Sequence, residues 1–192
     1  MKQASLFNSW TRLKQGKTVR FMNQRDLKMA HPQRIEMQAI GVVHTSASQD
    51  EIRRHKEGLT SLVEIFPQYV DALDGLKGFS HIIIVAFLDQ LRSEQIGLLK
   101  VRPRRLLRRG VRLEDLPLLG VFALDSPTRP NPIGLSVVSL LRIEGMLLTV
   151  TDLDLFDGTP VLDIKPYQSG YRAERYSVPE WYERLHRDAG YE

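Results

Sequence analysis

The chain has no cysteine, which excludes disulfides, zinc–thiolate sites and thiol nucleophiles and fits a reducing compartment such as the cytoplasm. It has no apolar run long enough to cross a bilayer. The longest, HIIIVAFL at 81–88, is far shorter than the roughly 20 residues a spanning helix needs. No apolar leader follows the N-terminus, so neither secretion nor a membrane partner is expected. GxxxxGK[ST], GxGxxG and a Ser-His-Asp set are also missing. A phosphate loop, a Rossmann cofactor site and triad-type nucleophilic catalysis therefore drop out.

Acid is nearly absent from one end. Residues 1–35 hold eight Lys/Arg and one acid, Asp26, a charge of +7, although the whole chain of 192 residues carries only +4. Residues 1–37 therefore read as a basic arm, in which Leu6, Trp10 and Leu13 have the spacing of a short amphipathic helix. Such an arm binds polyanions. It also reads as an extension ahead of a start at Met22, Met29 or Met37, or as an acid-poor transit segment.

Residues 38–168 read as one β domain. Short β-branched or apolar runs (QAIGVVH at 38–44, SLVEIF at 61–66, SHIIIVAFL at 80–88, LGVFAL at 119–124, MLLTVTD at 146–152 and PVLDIKPY at 160–167) are separated by turn residues. In IGLSVVSLLRI (133–143) the apolar residues fall at odd positions, a period of two that predicts a half-buried strand with Ile133, Leu135 and Val137 inward. Glu144-Gly145 marks a tight hairpin. Strands at this spacing predict a closed β-barrel or sandwich with short helical insertions, one over 67–76. In the tail, residues 169–192, Ser177 and Glu180 have capping-box spacing ahead of a C-terminal helix carrying Trp181 and Leu185.

Three clusters carry the chemistry. SPTRPNPIGLS at 126–136 places Ser126, Arg129 and Asn131 each before a proline, which holds their backbones extended. Arg129 and Asn131 then project from a stiff ribbon, and Gly134 admits a close backbone or ligand. The alternative is a proline-stiffened corner with no ligand. DLDLFDGTPVLDIKPY at 152–167 has the acid density of a calcium loop. However, the spacing is off by one, Leu155 and Phe156 intrude, and no bidentate glutamate follows, so no metal is expected. Asp157 either closes an Asx-turn or accepts hydrogen bonds from a ribose diol or an amine. KVRPRRLLRRGVR at 100–112 carries seven basic residues and no acid. Arg102, Arg104, Arg105, Arg108 and Arg109 are candidate RNA-phosphate ligands, or a solvated face. His81, inside an apolar strand, reads as a satisfied core histidine.

Four of these segments, AIGVVHT at 39–45, VEIFPQYVDALDGLKGFSHIII at 63–84, GVFALDSPTRPNPIGLS at 120–136 and DLFDGTPVLDIKPY at 154–167, resemble the TrmO/TsaA-like (YaeB-like) family. The resemblance implies a β-barrel that binds S-adenosylmethionine without a Rossmann fold, as a homodimer. It also implies methylation of N6 of threonylcarbamoyladenosine at tRNA position thirty-seven. Carried over residue by residue, it puts Asp89, Gln90, Asp125, Arg129, Leu135, Ser136, Asp157, Gly158 and Thr159 on the cofactor side. By analogy with the Asn-Pro signatures of unrelated amino methyltransferases, Asn131 with the Pro132 carbonyl is the candidate catalytic acceptor of the amino protons of adenine, and Asp157 or Asp125 is the alternative, beside the sulfonium or as proton acceptor. This sequence departs from the family where SQDEIRRHKEG replaces a Pro-Arg-Gln triplet, where Asp125 replaces an arginine and where Asp89 replaces a histidine. Those departures leave open another acceptor, or a non-catalytic RNA-binding barrel.

Overall fold

Ile82, Ile83 and Ile84 follow one another in the strand that organises the fold. In this computed structural model the described residues are 35–54 and 59–189, with the backbone of 11–15 and 18–22. The chain divides into two units, residues 1–37 and 38–192. In the first, β1 (Thr11–Gln15) and β2 (Thr18–Met22) pair antiparallel. Leu13 therefore lies on a strand and not on the expected helix; Leu6 and Trp10 lie outside the described residues. Threonine, valine and phenylalanine within these two segments favour the pleated form.

The second unit contains β3 (Gly41–His44), α1 (Gln49–Arg54), β4 (Thr60–Ile65), β5 (His81–Phe87), β6 (Lys100–Val101), β7 (Leu119–Gly120), β8 (Ile133–Glu144), β9 (Leu147–Thr151), β10 (Pro160–Pro166) and α2 (Glu180–Asp188). Six of these strands close a barrel in the order β10-β3-β4-β9-β8-β5, every neighbour antiparallel. Val43, Val63, Ile65, Ile82, Ile84 and Leu148 are buried inside it, each stabilising the fold by about 1.5–3 kcal/mol relative to an exposed position. The helical insertion after β4 is a 3-10 turn, Pro67–Leu73. Among the described residues no helix is long and apolar enough to cross a membrane.

The expected inward face of β8 is reversed. Leu135 is 70% and Val137 52% exposed, while Ser136 and Val138 are buried. A period of two shows that the two faces differ, but Val138 and Leu140 make the other face apolar as well, and the barrel closes around that one. A bulge between Leu140 and Arg142 then shifts the register. His81 is satisfied by Ser80 and Ser139 but is exposed at the start of β5 rather than in the core.

The stretch 119–124 gives only the short β7 followed by a turn, Val121–Ala123, with Phe122 81% exposed. β6 and β7 pair in a lobe that rises from the barrel between β5 and β8. Its small core, Leu106, Val111 and Leu116, is closed by Leu185, Ala189 and Trp181 of the α2 segment. The α2 helix starts after Pro179, with no side-chain cap. Ser177 stands two residues ahead of that cap position, so the expected capping box does not form.

Candidate active site

One end of the barrel collects the ends of β3 and β5 and the starts of β8 and β10. At the end of β5 the Leu88 N–H donates to the Pro132 carbonyl at 2.7 Å, and the Ile133 N–H donates to the Asn131 carbonyl at 2.8 Å. The second bond closes a tight turn centred on Pro132, whose ring pre-sets the φ this turn needs. The proline-rich ribbon is thereby fastened to the end of β5, and the Asn131 side chain is left exposed. Thr128 is buried and accepts the Gln95 amide at 3.3 Å.

Arg129 does not project as expected. Its guanidinium folds back to donate to the Val121 and Leu124 carbonyls at 3.1 and 2.9 Å, while its buried Nε has no partner. Gly134 faces the Leu88 side chain, 3.0 Å from where a Cβ would stand. The Pro132 carbonyl, expected to accept an amino proton, already accepts the Leu88 N–H.

The second wall is the turn before β10. Gly158 takes φ +79°, a conformation that glycine adopts without penalty. Asp157 accepts the Thr45 N–H on Oδ1 at 3.0 Å, and its main-chain carbonyl accepts the Gln90 side-chain amide at 2.8 Å. Thr159 is buried, and its carbonyl takes the Val43 N–H at 3.0 Å. On β8, the Ser136 hydroxyl donates to Asp154 Oδ1 at 2.6 Å.

The third wall is α1, which sequence reasoning missed. Gln49 donates to Gln90 at 2.9 Å and accepts from Arg53 at 2.8 Å. Arg53 also lies 4.9 Å above the Phe156 ring, within cation–π range. A relay therefore runs Arg53–Gln49–Gln90–Asp157. The signal for it was present in Ser48-x-x-Glu51. The Glu51 carboxylate takes the Ser48 hydroxyl and N–H at 2.6 and 2.7 Å, and the Glu51 N–H returns to the Ser48 hydroxyl at 3.3 Å, a capping box. The Ser48 hydroxyl first, and then its N–H, hold the Glu51 carboxyl below the usual carboxylate range.

The model of the tRNA-methyltransferase O N-terminal domain matches residues 48–172. The chain belongs to that family. The matched stretch begins after β3, so AIGVVHT lies outside it. A probable S-adenosyl-L-methionine-binding protein of Archaeoglobus fulgidus is 37% identical over 154 residues, covering 78% of this chain and 38% of the relative. A mouse tRNA (adenine(37)-N6)-methyltransferase is 37% identical over 126 residues, covering 65% of this chain and 27% of the mouse protein. A crystal structure of TrmO superposes with a TM-score of 0.58 at 33% identity, covering 76% of this chain and 64% of that one. The chain thus spans well under half of the two relatives named and about two thirds of the solved structure.

Within this TrmO-type domain the structure brings Gln90, Asp157, Gly158, Thr159, Asn131 and Ser136 to one barrel end. Asp89, next to Gln90, and Asp125, in the loop that Arg129 clasps, are exposed. Leu135 sits beside Ser136 on the opposite, outer face. The arginine run lies on the lobe. Arg104, Arg105 and Arg108 are exposed there, whereas Arg102 donates to the Leu116 carbonyl. Arg109 is exposed and engaged by a neighbour. Among the described residues no three His, Cys, Asp or Glu side chains gather into a metal cluster.

Proposed function

We propose that this chain binds S-adenosylmethionine at the barrel end and catalyses methylation of N6 of the adenosine at tRNA position thirty-seven, with the threonylcarbamoyl-modified base as acceptor. The observation that carries this reading is the tie from Gln90 to the Asp157 carbonyl. It joins the end of β5 to the β10 turn, in a family with relatives named for binding S-adenosylmethionine and for N6 methylation of tRNA adenine 37.

The donor set fits a zwitterionic nucleoside. The partnerless Nε of Arg129 suits a carboxylate, the Asp89 and Asp125 carboxylates suit an ammonium, and Asp157 Oδ2 is left for a ribose hydroxyl. When bound, the cofactor supplies a methyl group already activated by its positive sulfur. The residues then have to position the acceptor and hold its protons. The N6 lone pair is delocalised into adenine, so a hydrogen-bond acceptor on the amino group restores nucleophilicity. The exposed Asn131 carboxamide on its braced turn takes that role, and Asp157 Oδ2 is the alternative.

Arg104, Arg105 and Arg108 grip the tRNA phosphates, with Arg102 and Arg109 contributing from the same lobe. A second copy of this chain covers Leu135, Val137 and Phe87, large apolar side chains exposed on β8 and β5. The resulting homodimer is read out by light scattering and acts in the cytoplasm.

The test is methyl transfer from labelled S-adenosylmethionine to tRNA with and without the threonylcarbamoyl group, alongside calorimetry with the cofactor. Transfer only to the modified tRNA is expected. Tight cofactor binding with transfer to neither tRNA overturns the acceptor, and no cofactor binding overturns the whole reading. Asn131→Ala is expected to lower kcat about 100- to 1,000-fold at unchanged cofactor affinity.

A further inference from the structure

At the far end of the barrel, three rings lie in a row. His81, first residue of β5, has its ring centroid 6.3 Å from that of Tyr167, just past β10, and Tyr167 lies 6.1 Å from Tyr171 at an interplanar angle of 22°. The register fixes this placement. Pro166 pairs with Ile82, the Tyr167 N–H donates to the His81 carbonyl, and His81 lies across from Ser139. The rings are therefore a full strand length, about 20 Å, from Gln90 and Asp157.

Both imidazole nitrogens are occupied, Nδ1 by Ser80 and Nε2 by Ser139, so His81 is locked in orientation. Tyr171 is 48% exposed, and among the described residues no ring other than Tyr167 stacks on it. Arg172 and Arg175 follow it, exposed and with no ion-pair partner among the described residues. Tyr176 is more exposed still. Lys165 is close enough to feel the Tyr171 hydroxyl, but its ammonium is held by Asp163 at 2.7 Å. Among the described residues of this segment, the free cations near Tyr171 in sequence are the two arginines. Nothing in this group explains it as core, since the barrel interior is closed without it.

We propose that Tyr171, backed by Tyr167 and His81 and flanked by Arg172 and Arg175, is a stacking platform for one unpaired base of an RNA. The contact rests on the tRNA reading above and adds a second site on the opposite end of the barrel. An aromatic face accepts any base, and neighbouring arginines hold the adjoining phosphates. Stacking on a ring face grips a single strand without reading its sequence.

The test is fluorescence anisotropy with a labelled anticodon stem–loop RNA on the full chain, for Tyr171→Ala, Tyr171→Phe and Tyr171→Trp. Tyr171→Ala is expected to weaken RNA binding about five- to hundredfold, with Phe and Trp close to wild type and S-adenosylmethionine affinity unchanged by calorimetry. RNA affinity unchanged in Tyr171→Ala overturns the platform and leaves the methyltransferase reading standing. RNA affinity that falls in a chain transferring no methyl group supports the platform and overturns that reading instead. A changed oligomeric state with unchanged RNA affinity assigns the tyrosine to a protein interface and also overturns the platform.

Discussion

Gln90 donates its side-chain amide to the main-chain carbonyl of Asp157 at 2.8 Å, across 67 residues of sequence. Its own carbonyl oxygen accepts from Gln49 at 2.9 Å, so one carboxamide spans two walls of the site. Gln90→Ala removes both bonds. With about 1 kcal/mol for each net hydrogen bond, and part of that recovered by water, cofactor affinity is expected to fall about five- to tenfold. Titration calorimetry reads the loss, and thermal stability changes little because the group is exposed.

Gly41 permits a close backbone approach in the barrel. A Cβ there would stand 2.2 Å from the Glu64 carbonyl oxygen on the paired strand. Gly41→Ala must push β3 away from β4, at a cost of about 1–3 kcal/mol, which lowers Tm by several degrees. Gly134→Ala is the control, because its nearest contact is the movable end of Leu88. Thermal denaturation should separate the two.

Acid should loosen α1 before the barrel. Glu51 titrates below its ordinary value because Ser48 hydrogen-bonds its charged form. For a depressed carboxyl, the stabilisation is present above the unfolded value, about 4.3 for glutamate, and is lost as pH falls through the lower folded value. Backbone amide exchange in 49–54 is expected to accelerate in that window. Glu51→Gln keeps a capping side chain and removes the pH dependence.

The arginines of the lobe divide by partner. Arg104→Ala, Arg105→Ala and Arg108→Ala should each lower the log–log salt slope of tRNA binding by up to about 1 while leaving Tm in place. Arg102→Ala should instead lower stability by about 1 kcal/mol, since its guanidinium holds the Leu116 carbonyl beneath the lobe's small core. Filter binding across a salt series, with a melt for each variant, checks both outcomes.

Much of the barrel was readable from local pattern. Leu62 to Ile65, Ile82 to Ala86 and Val161 to Ile164 carry enough β-branched and apolar residues to fix their pleat, and Gly145 at φ +58° turns the chain between β8 and β9. Which side of β8 faces inward was not readable, because both its faces are apolar. The pairing of Thr45 with Asp157 joins residues 112 positions apart, a separation that no sequence window spans. Helix α1 was legible in Ser48 and Glu51 but short, and its chemistry shows only when Gln49 meets Gln90. Arg129 was misread for a related reason. Its flanking prolines stiffen the main chain but do not aim the guanidinium, which the Val121 and Leu124 carbonyls capture.

The six-strand ring closes on itself between β10 and β5 and between β10 and β3. No strand of the ring keeps a bare margin onto which a visiting peptide could zip. Whatever docks on this cylinder must therefore do so through protruding side chains and the connections at its two mouths. New specificities can then arise by rewriting those connections while the staves stay as they are.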